Sequence, residues 1–236
     1  MAGVVRSISP MALLYRAELR PSKIELVAGW APTQPWFEGS ASAGLVSVAS
    51  FRFDDPEGEV GIETLLVRAG DGPVMQVPLT YRGAPLEGGD AWLIGTMQHS
   101  VLGQRWVYDA AGDPAYLTAV ATAALTGGGQ AEQYVDIDGE LVFREPTAVV
   151  VGNGTSGMPV PALVSVDRVS MRHERGSTVV EAGDLRLVIV RALITDGHPA
   201  HRLSALDSAD DVAPAVLTGT WSDQLEPQQL VLVLAP

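Results

Sequence analysis

The chain has no cysteine among its 236 residues, and Lys23 is the single lysine beside fourteen arginines. Without cysteine it has no disulfide framework, no thiol nucleophile and no thiolate ligand for a metal. It also has no apolar run of the length that crosses a membrane as a helix. These absences exclude disulfide-stapled scaffolds, cysteine-dependent enzymes and zinc-thiolate sites.

Positive charge is scarce as well, and the formal net charge at pH 7 is −13. Nucleic-acid binding needs clustered Lys and Arg to neutralise phosphates, so no nucleic-acid partner is expected, and an anionic membrane surface is disfavoured. The opening stretch, MAGVVRSISPMALL, has one Arg and an interrupted apolar segment, unlike a signal peptide, and Met11 is an alternative start. We therefore expect a soluble, cytoplasmic protein without a membrane partner.

Two segments carry helix signals, and we predict helices over 22–30 and 113–125. The first begins with Ser22 and Glu25, the residue pair of a capping box. The second has Asp followed by Pro at its start, which suits an N-cap and first turn, and glycines from Gly127 end it.

Most of the remaining sequence alternates apolar and polar residues with the period of two that is typical of strands. The turns Asp138-Gly139 and Gly183-Asp184 predict two β-hairpins. The predicted strands are 45–53, 60–68, 73–81, 91–97, 103–108, 132–137, 140–151, 162–173, 177–182, 185–194, 215–221 and 229–235.

These elements predict an α+β fold that is mostly antiparallel β. A Gly-rich stretch suggests a linker at 127–131, between a β domain with two helices over 1–126 and a second β-rich part over 132–236. A chain with many strand edges must cover or pair them, which favours a homo-oligomer.

The stretch VVVGNGTSG (149–157) has the G-x-G-x-x-G spacing of a phosphate-binding loop. A dinucleotide site needs a helix directly after the glycines, but Pro159 and Pro161 prevent one. A kinase-type loop needs a Lys on a following strand, and there is no lysine after residue 23. We interpret the stretch as a plain Gly-rich loop, and no cofactor is predicted.

Other catalytic or metal patterns are weak. His198 and His201 are close in sequence but have no neighbouring ligands, so we predict no metal site. The acidic stretch 54–59 lacks the alternating oxygens of a calcium loop and suits a solvated hairpin turn. On a hairpin, His99 and Ser100 would point to opposite faces, which disfavours a catalytic dyad.

Aromatic residues give the most suggestive pattern. Trp36 and Phe37 lie between a Pro and a Gly on GWAPTQPWFEG, where exposed rings would suit contacts with a partner or a sugar. The alternative is that Trp36 fills the core. With His99, Arg105 and Tyr108 of MQHSVLGQRWVYD, these residues form a candidate partner or ligand surface.

The motifs W-x-P-x-Q-P-W-F-E-G, VPLTYRGAPL and GTMQHSVLGQRWVYDAAGDPAYL follow one another in this chain. Together they resemble the N-terminal cap of actinobacterial maltokinases, and still more the stand-alone cap-like proteins, over about residues 11–126. The resemblance implies a curved antiparallel sheet with a helix. It also implies a link to maltose, trehalose or α-glucan metabolism and a glucan- or trehalose-metabolism enzyme, such as trehalose synthase, as partner.

Beyond residue 130 the resemblance continues more weakly. GELVFREP resembles the segment that leads from the cap into the kinase, and ERGSTVVEAGDLRLVIVR resembles the strand pair that carries the ATP-contacting Lys. Val188 occupies that Lys position, and motifs like H-G-D-L-H and D-F-E-G do not occur. The resemblance therefore carries over no catalytic, cofactor or metal residue.

Three functions remain in view at this point. The first is a non-catalytic interaction or regulatory protein of α-glucan metabolism. The second is a module that binds a sugar or glycan in the concavity of the β domain. The third is an enzyme that uses His99, Asp109 or the pair His198 and His201, which requires these side chains to converge on one pocket.

Overall fold

The structure is a computed structural model, and it describes residues 11–14, 17–55, 57–137, 139–161, 165–174, 176–193 and 213–234. The fold is mostly antiparallel β with two helices and includes a sheet curled into a half-barrel, which confirms the predicted α+β class with a curved sheet. The helices are α1 (Lys23–Trp30) and α2 (Pro114–Thr126). The strands are β1 (Met11–Leu14), β2 (Leu19–Arg20), β3 (Leu45–Phe53), β4 (Gly61–Ala69), β5 (Val74–Arg82), β6 (Leu93–His99), β7 (Gly103–Asp109), β8 (Glu132–Ile137), β9 (Glu140–Arg144), β10 (Ala148–Gly152), β11 (Val169–Glu174), β12 (Ser177–Ala182), β13 (Leu185–Val190), β14 (Ala192–Leu193), β15 (Ala215–Trp221) and β16 (Gln224–Leu234).

The strands form three sheets. A seven-stranded sheet has the order β2-β6-β7-β5-β4-β3, and the short β14 pairs with the start of β5. A six-stranded antiparallel sheet has the order β10-β15-β16-β13-β12-β11. A three-stranded sheet, β1-β8-β9, pairs β1 parallel to β8 and β8 antiparallel to β9.

Both helices begin as their sequences predict. The Ser22 side chain accepts from the Glu25 backbone N–H, and the Glu25 carboxylate accepts from the Ser22 N–H, which completes the capping box. Asp113 caps α2 by accepting from the Ala115 N–H at 3.0 Å, and Gly127 ends α2 with a left-handed φ of 72°. These local signals bound the helices because they satisfy N–H and C=O groups that a helix end leaves unpaired.

The helices lie on opposite faces of the seven-stranded sheet. Helix α1 and the turn that follows it pack with residues such as Val67, Val77 and Val107 on one face. Helix α2 packs against the other face and against β10, β15 and β16 of the six-stranded sheet. Most of its side chains are buried, and its alanines let these strands approach closely.

The largest hydrophobic cluster extends from Ala49 of β3, through α2, to Val233 of β16. The predicted linker 127–131 lies inside this arrangement, where the Ala131 N–H donates to the Arg52 carbonyl at 2.8 Å and Gly129 bridges to Val151. The core is thus shared across the predicted boundary, and whether the two parts fold independently stays a prediction.

Several predicted strands differ from the observed ones. The predicted strand 140–151 is two strands, β9 and β10, separated by a turn that contains Pro146. The predicted strand 185–194 breaks at Arg191, where the chain passes from one sheet to the other. Strand β16 begins five residues earlier than predicted, because Pro227 and its polar neighbours hide the strand pattern. Residues 162–164, 194 and 235 of the predicted strands lie outside the described residues.

Within the described part of the chain, neither helix is long and apolar enough to span a bilayer.

Candidate interaction surface

Two of the five predicted surface residues are buried. Trp36 is 1% exposed and packs against Trp30, with ring centroids 5.7 Å apart. Tyr108 is also 1% exposed, and its hydroxyl accepts from the Leu86 N–H at 2.8 Å. The expectation that they offer exposed contacts is therefore wrong, and for Trp36 the alternative of a core position is correct. The Pro-containing turn places the Trp36 indole against the sheet, and burying its apolar surface there is favoured by the hydrophobic effect.

The other three predicted residues are partly exposed, but they do not form one patch. Phe37 lies near the start of β5, because the next residue's N–H contacts the Met75 sulfur at 3.3 Å. His99 and Arg105 lie on β6 and β7 beyond the opposite end of β5, where Arg82 pairs with Trp106. Strand geometry puts on the order of 30 Å between the two groups. Only His99 and Arg105 are brought together.

His99 organises the tip of the β6–β7 hairpin. Its Nδ1 accepts from the backbone N–H groups of Val101 and Leu102 at 3.2 and 3.1 Å. Partial burial lowers the pKa of His99, and the charges of Arg105 and Lys23 lower it further. The imidazole is therefore neutral at pH 7, with an unprotonated Nδ1 that holds the turn. Val101 and Leu102 remain 56% and 42% exposed, so the turn presents a fixed apolar tip.

The chain order of β7 separates the residues proposed for catalysis. His99 pairs with Gly103 at one end of β7, and Asp109 is the last residue at the other end. Six residues of extended strand correspond to about 20 Å. His99 and Asp109 therefore do not converge on one pocket, and His198 and His201 lie outside the described residues.

Asp109 instead belongs to a buried ion pair between the two large sheets. Arg191 Nη2 donates to both carboxylate oxygens of Asp109, at 2.8 Å to Oδ1 and 2.7 Å to Oδ2. Arg191 is 0% exposed. Arg191 Nε donates to the Thr178 hydroxyl at 2.9 Å, and its guanidinium lies 4.7 Å from the centroid of the Trp36 ring. Trp36 thus faces a buried cation rather than a sugar or a partner.

The Arg191 backbone makes the same connection. Its N–H donates to the Gly176 carbonyl and its carbonyl accepts from the Gln76 N–H, both at 2.8 Å. The Gln76 side chain then donates to the Val190 and Leu230 carbonyls at 3.0 Å. Both backbone polar groups of Arg191, at the break between β13 and β14, are therefore hydrogen-bonded, one to Gly176 and one to β5.

A second charge centre lies beneath the start of α1. The Glu63 carboxylate accepts from Lys23 Nζ at 2.5 Å and from the Tyr81 hydroxyl at 3.0 Å, with Arg52 at 3.8 Å. Burial alone would raise the pKa of Glu63, but the charges of Lys23 and Arg52 outweigh it, so the pKa lies below its usual value. The single lysine of the chain is thus committed to an ion pair.

A third charge centre anchors α2. The buried carboxylate of its N-cap residue, Asp113, forms a two-point contact with Arg82, with both distances 2.7 Å, and accepts from the Thr80 hydroxyl at 2.7 Å. Hydrogen bonding to Asp113 raises the pKa of Arg82. The same carboxylate therefore caps a helix and joins it to β5.

The three centres share one chemical property, which is that each buried carboxylate is held by an arginine or lysine. A carboxylate in such a contact accepts charge-assisted hydrogen bonds from its basic partner. These contacts join elements of the fold to one another.

The Gly-rich stretch 149–157 also has a structural role. The Gly154 N–H donates to the Ala124 carbonyl and the Thr155 N–H to the Leu125 carbonyl, both at 2.9 Å. A Cβ on Gly154 would lie 2.0 Å from the Leu125 carbonyl oxygen, and one on Gly152 2.1 Å from the Ala123 oxygen. The glycines thus let the loop meet the C-terminal carbonyls of α2. That helix end is negative, the opposite of a phosphate site.

In the acidic stretch, the Asp55 carboxylate accepts from the backbone N–H groups of Glu57, Glu59 and Val60. No three His, Cys, Asp or Glu side chains come together in a metal-binding arrangement within the described ranges. The predicted hairpin at Gly183-Asp184 is confirmed by the pairing of Ala182 with Leu185. In the other predicted hairpin, Asp138 lies outside the described residues.

Sequence reasoning missed Arg191 and Glu63 as organising residues. Both carry a detectable signal, because a single charge interrupts an apolar run in LVIVRAL and in GIETLLV. A charge inside such a strand needs a buried partner. The partner itself, 82 residues away for Arg191 and 40 for Glu63, cannot be read from the pattern.

Comparison with known proteins agrees with this part of the fold. The family model described as the maltokinase N-terminal cap domain matches residues 30–113, less than half of the chain. The match begins at the end of α1 and ends at the N-cap of α2, so it contains β3 to β7. This confirms the resemblance to the cap over those residues. The comparison with curated proteins found no match.

Proposed function

We propose that this chain is a non-catalytic interaction or regulatory protein of maltose, trehalose or α-glucan metabolism that acts in the cytoplasm. The observation that carries the proposal is the match of residues 30–113 to the maltokinase N-terminal cap domain. The domain's name links it to maltose metabolism. The match covers the strands that hold the β6–β7 tip, and it ends before the six-stranded sheet.

The use of the polar groups supports the non-catalytic part of the proposal. Asp109, Glu63 and Asp113 are each occupied by a basic side chain. In the loop with nucleotide-like glycine spacing, the N–H groups of Gly154 and Thr155 donate to carbonyl groups at the end of α2. Position 188, which resembles the place of the ATP-contacting Lys, holds a fully buried Val. These contacts favour structural roles for the residues that first suggested chemistry.

The partner surface that we propose is the β6–β7 tip, residues 99–102. Apolar side chains that are exposed on a rigid turn lose little conformational entropy on binding, which makes them effective contacts. His99 holds this turn through two hydrogen bonds, and Val101 and Leu102 project from it. Its partner in this proposal is a glucan- or trehalose-metabolism enzyme, with trehalose synthase and maltokinase as the first candidates.

Binding to the purified enzymes tests the proposal directly. The immobilised chain should bind trehalose synthase or maltokinase in biolayer interferometry. The double variant Val101→Asp, Leu102→Asp should weaken that binding at least about tenfold, because it places two charges in an apolar contact. Leu225→Asp is the matched control, since Leu225 is 82% exposed on β16 of the other large sheet and should bind as the wild type does.

Two results would contradict the proposal. If neither enzyme binds the wild-type chain, the partner assignment is wrong. If Leu225→Asp weakens binding as much as the double variant does, the β6–β7 tip is not the specific contact surface. The non-catalytic part has its own test, in which the chain is incubated with ATP, magnesium and maltose. Phosphorylation of the sugar above the rate of a heat-inactivated sample would show that the chain is an enzyme.

A further inference from the structure

The outer strand of the three-stranded sheet is exposed along its whole length. All five residues of β9 are exposed, and Leu141, Val142 and Phe143 are 49%, 42% and 46% accessible. Among the described residues, β8 pairs with one edge of β9 and no strand pairs with the other. An open apolar edge is a template for a further strand, and proteins usually protect such edges.

The register of β9 determines which backbone groups face the open edge. Ile137 pairs with Glu140, two residues separate them along the chain, and a pair at this separation in a hairpin exchanges its hydrogen bonds. Because the bonded pairs alternate, Val142 and Arg144 also turn their N–H and C=O groups toward β8. Leu141 and Phe143 therefore turn theirs toward the open edge.

The sequence of β9, ELVFR, is complementary to itself in the antiparallel direction. If Val142 lies opposite Val142 of a second copy, Leu141 lies opposite Phe143, and their outward groups form four hydrogen bonds across the edge. In the same register Glu140 lies opposite Arg144 twice. These are non-hydrogen-bonded pairs, in which side chains approach most closely.

Two neighbouring registers also match the hydrogen-bonding groups, but neither pairs the charges. With Leu141 opposite Leu141, the residue opposite Glu140 is Val142, and with Phe143 opposite Phe143 the residue opposite Arg144 is Val142. Only the register centred on Val142 uses Glu140 and Arg144 as partners. Neither side chain forms an ion pair within the part of the chain that the structure describes.

We propose that β9 joins β9 of a second copy of this chain, so that two three-stranded sheets become one six-stranded sheet across a two-fold axis at Val142. The axis makes the contact isologous, with the same five residues on each side. Leu141 of one copy covers Phe143 of the other, next to the Tyr134 ring that already packs on Phe143 at 5.7 Å. Two five-residue strands make a small interface, so we expect a dissociation constant in the micromolar range.

Charge reversal tests this register. In sedimentation equilibrium from micromolar to hundreds of micromolar, the wild-type chain should pass from monomer to dimer. Glu140→Arg places Arg opposite Arg144, and Arg144→Glu places Glu opposite Glu140. Each variant alone should therefore raise the dissociation constant at least about tenfold.

The decisive sample is the equimolar mixture of the two variants. Glu140→Arg in one copy faces Arg144→Glu in the other, while the native Arg144 faces the native Glu140. The mixture should therefore recover dimerisation to within about threefold of the wild type. A loss of folding cannot produce this recovery, and circular dichroism of each variant checks the fold. If either variant unfolds, Glu140→Gln and Arg144→Gln are used, each with a smaller expected loss.

Several outcomes would overturn the proposal. A wild-type chain that remains monomeric over the whole range has no such interface. Dimers that resist both charge reversals are held by another surface, and a mixture that does not recover excludes the register centred on Val142. Each result is independent of whether the β6–β7 tip binds an enzyme.

Discussion

At the residue scale, the protein depends on charges that it has removed from water. Arg191 is fully buried, and it holds Asp109, Thr178 and Trp36 at the junction of the two large sheets. Moving a charge out of water costs several kcal/mol, and the ion pair offsets this only while both partners are present. Removing one partner is therefore more damaging than removing both.

The first prediction concerns this pair. Arg191→Met should lower the free energy of unfolding by about 3–5 kcal/mol, because it leaves the Asp109 carboxylate buried without a counter-charge. Adding Asp109→Asn to the same chain should recover part of that loss, since the amide carries no charge. Urea unfolding of the two variants and the wild type measures both values.

Arg172→Met provides the control for the first prediction. Arg172 pairs with Glu174 at 2.8 Å on the surface, where its side chain is 46% exposed. Surface ion pairs contribute about 0–1 kcal/mol, so this variant should change stability little. A loss in Arg191→Met no larger than in the control would mean that the buried ion pair does not hold the sheets together.

At the element scale, the end of α2 and the Gly-rich loop form one unit. A helix leaves its last carbonyl groups without partners, and here the loop after β10 supplies the N–H groups of Gly154 and Thr155. The strand and the loop both need glycine, because the backbones approach too closely for a Cβ at Gly152 or Gly154. This packing accounts for the first two glycines of the spacing that resembles a nucleotide fingerprint.

The second prediction tests the close approach. Gly154→Ala places a methyl group 2.0 Å from the Leu125 carbonyl oxygen, so the loop must move away and lose its hydrogen bonds to α2. We expect a loss of about 2–4 kcal/mol in the free energy of unfolding. Gly29→Ala, in open space on α1, should instead stabilise the protein by up to about 1 kcal/mol.

Thermal and urea unfolding measure whether each glycine variant is more or less stable than the wild type. A neutral Gly154→Ala would show that the loop does not contact α2, and the stretch would then be open to a ligand. Hydrogen exchange at Thr155 gives a second readout, because the backbone N–H that donates to the Leu125 carbonyl should exchange slowly in the wild type.

At the scale of the whole molecule, the two large sheets share their core. Helix α2 lies between residues of both, and the chain returns from β13 to the seven-stranded sheet through β14. Burying α2 requires both sheets at once, since its apolar side chains face each of them. Cooperative unfolding is the expected consequence.

The third prediction is a single unfolding transition for the whole chain. Trp221 lies on β15 of the six-stranded sheet, and the other four Trp residues lie before residue 127. Fluorescence of a Trp221→Phe variant then reports on the first part alone. Its urea midpoint should coincide with the midpoint from far-ultraviolet circular dichroism, which reports on both parts. Two separate midpoints would support the independent parts that the sequence predicts.

The sequence by itself determined the features that depend on neighbouring residues. Helix caps act within one helical turn, so the sequence alone locates α1 and α2. The signals are the capping box at Ser22, the N-cap at Asp113 and the C-terminal Gly127. Alternation of apolar and polar residues located most strands for the same reason. The order of the cap motifs indicated the resemblance to the maltokinase cap over about residues 11–126, and the family model matches residues 30–113 of that range.

Only the tertiary structure decided which residues are buried and what they meet. Trp36 follows a Pro and precedes a Phe in any fold, but its burial against Arg191 depends on a residue that lies 155 positions further along the chain. The roles of Arg191, Glu63 and the Gly-rich loop likewise depend on distant partners. Local patterns act over a few residues, whereas burial and ion pairing are set by chain segments that meet only when the sheets pack.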